Sequence, residues 1–574
     1  MIRIEEKPSE FVGGRTSLNI TFPFDQKTVD IVKGCDGAYF SKRKHFWEVP
    51  INQLSYLLDS LTYVDDITFK PFREEERKRV EKPIVEYRTK PFPYQLEGIE
   101  YGLNHDKWLL LDQMGLGKTL QLIYLAEELH ARGLIEHCLI ICGIASLKTN
   151  WKKEIEKHSS LSCRILGERK TKSGKSYWAT LKERADELRN PISEFFVITN
   201  IETLRTTSSS QRRNKEKDVG GDGGDIVGAF LNSSNRFGLI CLDEAHKCKN
   251  AASQQVAGLL QMTAPYQVAA TGTPIMNNPE DLYVPLAWIG VNKCAYTNYK
   301  RTFCVMDANI KGRVIGSKNM DILKDELESC SLRRTKDILD LPPKTVINEW
   351  LDMDDRQANF IREIEKGVKS EALTVDLKPN NLLAMATRIR QAIVCPGMLT
   401  TEDVPSVKID RCVELVEQMA SNGEKVVVFS NYKNPLYKLQ SLLSQYGPLM
   451  GTGDMKDSDI SESIDRFQRD SDSKVFLGTM SKMGTGVTLN RATYCIFLDS
   501  SWTKALNQQC EDRIHRVNND HPVFIYYLWC NNSFDCCVKG IVDRKSAISD
   551  YIVDDFIGSN DAMDQLRRYI QNIS

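Results

Sequence analysis

Two series of short apolar runs constrain this chain more than any other feature. Between Pro91 and about residue 290 come WLLLD, HCLIIC, FFVIT, FGLICLD and YQVAAT, alternating with stretches of helix-like spacing. That alternation argues for a parallel sheet flanked by helices. A second series opens at KVVVFS and runs through KVFLGT and YCIFLD to VFIYYLW. Residues 291 to about 405 lose the strand alternation and read as mostly helical. Two α/β blocks separated by a helical insertion are therefore expected, with no internal repeat and no long low-complexity tract.

Length and composition set the bounds. At about 150 residues per domain, 574 residues predict three or four domains. Hydrophobic residues are 41% and charged residues 27%, as in ordinary soluble globular chains, which excludes a disulfide-stapled scaffold, a collagen-like chain and a wholly disordered one. No apolar run approaches the ~20 residues needed to span a bilayer. MIRIEEKPSEF lacks the charged-then-apolar pattern of a signal, so it reads as part of the mature protein. Lys+Arg 76 against Asp+Glu 77 leaves a net charge of −1, which disfavours blanket coating of nucleic acid but not a local basic track. The 16 cysteines form no C-x-x-C pair and no zinc-like set, so they read as reduced buried thiols.

Residues 1–70 predict a small α+β domain. Leu18, Ile20, Phe22 and Phe24 alternate as in a half-buried strand, and Asp25 is placed to cap a short helix running to Gly34. GAYFSKRKHFWEVP reads as a hairpin with a basic turn at Lys42, Arg43 and Lys44. Leu54, Leu57, Leu58 and Leu61 have the spacing of a helix covering a sheet. Residues 71–90, charged and bracketed by prolines, predict a linker. The Ser-, Gly- and charge-rich stretch between Arg205 and Ile226 predicts a mobile surface loop.

The chemistry is carried first by Asp112-Gln113-Met114-Gly115-Leu116-Gly117-Lys118-Thr119, directly after WLLL and before the helix-like LQLIYLAEEL. In a strand–loop–helix setting, Gly115 and Gly117 let backbone N–H groups approach phosphates, and the helix dipole favours their charge. Lys118 would reach the β/γ-phosphates, and the Thr119 hydroxyl would sit on Mg²⁺. The strict G-x-x-x-x-G-K-[ST] pattern is broken at Asp112. Asp243-Glu244-Ala245-His246 then ends FGLICL. Asp243 would hold Mg²⁺, Glu244 would orient and deprotonate the attacking water, and His246 would relay between nucleotide and substrate sites.

Together DQMGLGKT, DEAH and Thr271-Gly272-Thr273-Pro274-Ile275-Met276-Asn277-Asn278 resemble motifs I to III of the Swi/Snf-type ATPases within the superfamily-two helicases. PFPYQLEGIEY resembles the family's adenine-reading segment, with Gln95 as the base contact; a glutamine can pair bidentately with adenine. SLKTNW is similar to motif Ia, LRRTKDILDLPPK and RIRQAIVCP to segments of the Swi/Snf type, KVVVFSNY to motif IV and GTMSKMGTGVTLNRA to motif V. QCEDRIHRV is similar to motif VI, in which Arg513 and Arg516 resemble arginine fingers. Asn518 and Asn519 depart from the usual Gly-Gln, and motif V lacks its common Ala-Gly-Gly run. YFSKRKHFWEVP is similar to the HepA-related domain of annealing helicases.

The resemblance implies two RecA-like lobes with parallel sheets, at 91–290 and 406–530, a helical insertion at 291–405 and a C-terminal helical brace at 531–574. ATP and Mg²⁺ are the implied cofactors. Gln95, Asp112, Gly115, Gly117, Lys118 and Thr119 would bind nucleotide, Thr119 and Asp243 the metal. Lys118, Asp243, Glu244, Arg513 and Arg516 would carry catalysis. Ser146, Lys148, Ser430 and Thr479 would contact nucleic-acid backbone without reading sequence. Trp151 and Trp502 are expected in the core. The implied activity is an ATP-driven double-stranded-DNA translocase acting on forks or junctions, reannealing strands or displacing proteins. The rival readings are a strand-separating helicase on DNA or RNA, and an ATP-gated DNA clamp. A compact motor of this layout implies a bacterial or phage-encoded cytoplasmic monomer, without membrane association, working beside single-strand-binding or replication proteins.

Overall fold

The computed structural model describes every residue except 1, 9–15, 36, 42–44, 62, 65–66, 71–81, 145–146, 171–175, 206–225, 232–236, 249, 275–278, 307–313, 340, 375–378, 485–486, 503, 517–518, 553–568 and 570–574. The basic turn at Lys42–Lys44, Ser146, the expected loop after Arg205 and Asn518 lie outside the described residues. The chain divides into two compact units, Met1–Lys336 and Asp337–Ser574.

The first unit opens with a five-stranded sheet. It comprises β1 (Ile2–Pro8), β2 (Thr16–Thr21), β3 (Tyr39–Ser41), β4 (Phe46–Pro50) and β5 (Ile67–Lys70), in the order β3-β4-β2-β1-β5. Leu18 and Ile20 are fully buried as expected, but Ser17 and Asn19 beside them are buried as well, so β2 is covered on both faces rather than half-buried. Pairing stops at Thr21, because Pro23 has no N–H for a ladder, and Phe24 is 85% exposed. Asp25 caps α1 (Gln26–Lys33), accepting the Thr28 N–H at 2.9 Å. Leu54, Leu57, Leu58 and Leu61, on and just after α2 (Leu54–Ser60), are buried. The strand β1 has no counterpart in the sequence reading. Its inward register places Glu6 beside Ile2 and Ile4, so an acid interrupts the apolar alternation; Lys293 lies 3.4 Å from that carboxylate. The domain packs against later helices of its own unit: α2 on Tyr296–Phe303 and β5 on Met320–Cys330.

The second half of the expected linker is bonded in place. Ile84 and Val85 donate their N–H groups, and Tyr87 its hydroxyl, to the buried Glu128 carboxylate at 2.9, 2.8 and 2.8 Å. Burial alone would raise the Glu128 pKa, but these donors and Arg132 outweigh it and hold it below the usual value. Tyr87 also stacks on Tyr124, with centroids 4.2 Å apart. Residues 82–90 therefore form a strap rather than a free spacer.

The main sheet of this unit is wholly parallel, in the order β16-β6-β13-β12-β7-β11-β8. Its strands are β6 (Lys107–Leu110), β7 (His137–Cys142), β8 (Cys163–Ile165), β11 (Phe196–Asn200), β12 (Phe237–Asp243), β13 (Tyr266–Ala270) and β16 (Ser331–Leu332). The five predicted apolar runs are β6, β7, β11, β12 and β13, largely buried on both faces as helix-covered parallel strands must be, whereas the short edge strands β8 and β16 are only partly buried and were not foreseen. Two further two-stranded ribbons, β9 (Glu168–Lys170) with β10 (Ser176–Trp178) and β14 (Cys304–Met306) with β15 (Val314–Ser317), complete the unit.

The second unit has a parallel six-stranded sheet, β17-β22-β21-β18-β20-β19. Its strands are β17 (Lys344–Leu351), β18 (Val426–Ser430), β19 (Leu449–Gly451), β20 (Val475–Thr479), β21 (Tyr494–Phe497) and β22 (Val523–Cys530). The stretch 291–405 is thus not purely helical. It supplies β16 to the first sheet and β17 to the second, besides the ribbon β14–β15. The strand β17 escapes the sequence reading because it lies at a sheet edge, with Val346 and Trp350 exposed, and lacks a continuous apolar run. The helix Phe534–Ile552 follows β22 where a C-terminal brace is expected. With parallel sheets in both units, the fold is α/β with two RecA-like lobes and a small α+β N-terminal domain.

Candidate active site

Three neighbouring strands of the first sheet, β6, β13 and β12, end side by side, and their C-terminal ends are where ligands bind in open parallel sheets. Beyond β6 lies the loop 112–117, beyond β13 the turn Thr271–Pro274, and at the end of β12 Asp243-Glu244. The helix α3 (Pro93–Asn104) precedes β6, and beyond that strand Gly115 and Gly117 have φ of +87° and +72°, which turns the loop into α4 (Lys118–Ala131). Lys118 Nζ donates to the carbonyls of Asp112 at 2.8 Å and Gln113 at 3.3 Å. A Cβ on Gly272 would meet that ammonium at 3.1 Å, so the lysine lies against the turn after β13. Thr119 is half-buried in the first turn of α4.

Asp243 is buried and its two oxygens are separately engaged. Oδ1 accepts the Glu244 N–H at 2.9 Å, and Oδ2 accepts the indole N–H of Trp151 at 2.8 Å. Burial and then the adjacent Glu244 carboxylate push the Asp243 pKa above the usual range, opposed by the Trp151 bond and Lys118. Glu244 has φ of +52°, strained for a residue with a Cβ. His246 Nδ1 sits 3.0 Å from Thr271 Oγ1 and 3.2 Å from Glu244 Oε2, joining the acidic turn to the turn after β13.

Two expected nucleotide contacts are turned elsewhere. The Asp112 carboxylate is fully buried and faces inward, gripped by Arg334 through Nε at 3.0 Å and Nη2 at 2.6 Å and by Gln121 at 3.0 Å. Its side chain braces the loop from behind. Gln95 uses both ends within the protein: Oε1 accepts the Phe92 N–H at 2.9 Å, and Nε2 donates to the Leu116 carbonyl at 3.2 Å. One amide N–H and one carbonyl lone pair of Gln95 are left beyond these two bonds.

The expected backbone contacts divide similarly. Lys148 is largely buried, with Nζ 3.8 Å from the centre of the Trp178 ring; desolvation, then Arg184, lowers its pKa. Ser430, expected to contact nucleic-acid backbone, is fully buried and its hydroxyl donates to Asp499 at 2.6 Å, so that oxygen is turned inward. Thr479 Oγ1 is buried without a hydrogen-bond partner among the described residues.

In the second unit, Arg513 and Arg516 both reach the Val487 carbonyl, at 3.1 and 3.4 Å, and Arg513 also donates to Gln509 O at 2.8 Å. The turn that carries them, after the helix Lys504–Glu511, is tethered by Glu511, which accepts from Lys344 and Tyr527, both at 2.7 Å, and by His515 against the Pro342 carbonyl at 2.8 Å. Arg390 of RIRQAIVCP pairs with Asp499, the same carboxylate that holds Ser430 and Asn431.

Residues 94–398 match the model of the SNF2-related domain, more than half of the chain, and residues 407–518 that of the helicase conserved C-terminal domain. The chain belongs to the SNF2-related family. It is 25% identical over 481 residues to the human "DNA annealing helicase and endonuclease ZRANB3", covering 80% of this chain and 40% of that protein. Identity is 23% over 539 residues to an uncharacterized ATP-dependent helicase of Mycoplasma pneumoniae, 91% of this chain and 48% of the relative. This SNF2-related chain therefore spans less than half the length of either. A solved "Sulfolobus solfataricus SWI2/SNF2 ATPase core in complex with dsDNA" is 21% identical, covers 83% of this chain and 96% of its own, and superposes with a TM-score of 0.35, too low to carry weight. By family the chain is a helicase-like ATPase.

Two residues of this SNF2-related ATPase escaped the sequence reading. Trp151 looked like core, and is; the signal of its second task was its position in the same segment as Lys148. Arg334 lies 222 residues from Asp112 and could be paired with it only in three dimensions.

Proposed function

We propose that this SNF2-related ATPase is an ATP-driven translocase on double-stranded DNA that remodels forks or junctions, reanneals strands or displaces bound proteins. The observation that carries the proposal is the convergence of Lys118, Asp243, Glu244 and the Thr271–Pro274 turn at three adjacent strand ends. In this reading the N–H groups at the start of α4 and the Lys118 ammonium hold the phosphates, and Glu244 orients the attacking water and takes its proton. Asp243 and Thr119 offer hard oxygen donors that fit Mg²⁺, and a carboxylate whose charge is disfavoured by burial is suited to a cation. Magnesium, when bound, would neutralise charge on the phosphates. Arg513 and Arg516 supply positive charge to the transferring phosphoryl group.

Lys148 and Thr479 are proposed to grip DNA backbone, Ser430 being committed to Asp499. An accessory DNA-recognition role for residues 1–70 belongs to the same proposal and rests on the resemblance of YFSKRKHFWEVP to the HepA-related domain. No described helix is long and apolar enough to cross a membrane. A monomer in bacterial or phage-infected cytoplasm, working beside single-strand-binding or replication proteins, completes the reading.

Displacement of a third strand from a triplex tests it. The full chain with ATP and Mg²⁺ should strip the third strand while leaving the duplex paired. Separation of the duplex strands themselves would favour a strand-separating helicase instead.

A further inference from the structure

The segment Leu332–Lys336 runs alongside the phosphate loop and is bonded to it at each step. Beyond β6 the backbone ladder continues into the loop: Leu111 N–H donates to Leu332 O at 2.8 Å and Gln113 N–H to Arg334 O at 2.9 Å. Lys336 N–H donates to the Gln113 side chain at 2.8 Å. The Lys336 side chain lies over Gly115, where an added Cβ would meet its Cε at 3.2 Å. At the centre is Arg334, whose guanidinium forks onto both oxygens of the fully buried Asp112, bonds Gln121 at 2.8 Å and reaches the Tyr94 carbonyl. There is no room to rearrange: a Cβ on Gly98 would come within 1.9 Å of Gln121 Oε1 and 2.8 Å of Arg334 Nη2.

Asp112 is the first residue of the loop, and its carbonyl receives Lys118 Nζ. A bidentate pair fixes direction as well as distance, so the Arg334 fork sets the azimuth of Asp112 and hence where that carbonyl and the following amides point. Removing Arg334 leaves the Asp112 charge buried without a cation, and removing Asp112 leaves Arg334 only the exposed Glu97 at 3.7 Å, whereas removing both leaves a neutral contact.

We propose that Arg334 is a positioning residue for ATP, holding the phosphate loop in its binding shape through Asp112. The proposal rests on the reading of 112–119 as the nucleotide loop. Its effect falls on nucleotide affinity rather than on the chemical step, because Arg334 reaches the loop's rear and Glu244 acts at another strand end.

The test uses the full chain and its Arg334→Gln, Arg334→Lys, Asp112→Asn and Asp112→Asn/Arg334→Gln variants, with Mg·ATP affinity by calorimetry and steady-state turnover. Amide hydrogen exchange at 113–118 is followed without nucleotide. Arg334→Gln should raise the Kd and KM for ATP about tenfold or more, with kcat at saturation within about threefold of the parent. Exchange at 113–118 should accelerate. Arg334→Lys, which keeps charge but loses the fork, should fall between, and keeps the test open if the glutamine variant fails to fold. The double variant should bind ATP no worse than the weaker single variant, since neither charge is then stranded. A folded Arg334→Gln or Arg334→Lys variant with parental Kd and parental exchange would overturn the proposal, as would single effects that multiply in the double variant. A parental chain that binds no ATP, while Arg334→Gln still loosens 113–118, would instead sink the nucleotide reading alone.

Discussion

Trp151 donates its indole N–H to Oδ2 of Asp243 at 2.8 Å, joining residues 92 positions apart. Both side chains are buried, so the bond is not exchanged with water. It fixes the orientation of the carboxylate proposed to hold Mg²⁺ and stabilises its ionised form against burial and Glu244.

Replacement of Trp151 by phenylalanine keeps most of the apolar contact and removes the donor. A hydrogen bond to a charged group contributes about 1.5–3 kcal/mol, so kcat should fall about tenfold or more. The half-saturating Mg²⁺ concentration should rise in parallel. ATPase measured across a Mg²⁺ titration distinguishes this from loss of folding, which would lower the amplitude without moving the midpoint.

Lys118→Ala should abolish hydrolysis, because the ammonium held at the loop carbonyls is the charge offered to the β/γ-phosphates. Glu244→Gln should behave differently: ATP still binds, turnover stops, and the protein is retained on DNA. Nucleotide binding and turnover assayed on both variants check this. Parental turnover in Glu244→Gln would remove it as the base.

Arg513→Ala and Arg516→Ala should each depress turnover far more than ATP affinity, since charge develops on the phosphoryl group only during transfer. Losses on the order of 10³ have precedent for such fingers. Single-turnover hydrolysis beside equilibrium nucleotide binding measures the split. Unchanged maximal rates in both would take these arginines out of catalysis.

Substitution of Lys42, Arg43 and Lys44 together by alanine should leave duplex-stimulated ATPase intact and remove additional stimulation by forks. Point changes are preferable to deletion, because α2 and β5 pack on helices of the first unit and Lys318 pairs with Asp59. Equal fork preference in the variant and the parent, at matched salt, would leave residues 1–70 a packing domain.

What could be read from the sequence followed burial. FGLICLD and KVVVFS announce β12 and β18 because both faces of each strand are covered, and an uninterrupted apolar run records that. The strand β17 was hidden by its edge position, and β1 by Glu6 in an inward register. Lys118, Asp243 and Glu244 were legible because each follows a recognisable strand within a few residues. Asp112 was legible as part of the loop but not in its orientation, which depends on an arginine 222 residues away. Ser430 is a similar case: the resemblance implied a backbone contact, and only Asp499, 69 residues on, reveals that its hydroxyl is spent inward.

The central claim is that ATP hydrolysis here serves movement along duplex DNA. The most direct measurement is the steady-state ATPase of the full chain with plain duplex, forked duplex, single-stranded DNA and RNA at equal nucleotide concentration, with Glu244→Gln as the background. The account predicts strong stimulation by duplex, at least equal stimulation by forks, and little by single strands or RNA. Stimulation by single-stranded DNA or RNA with none from duplex would contradict it.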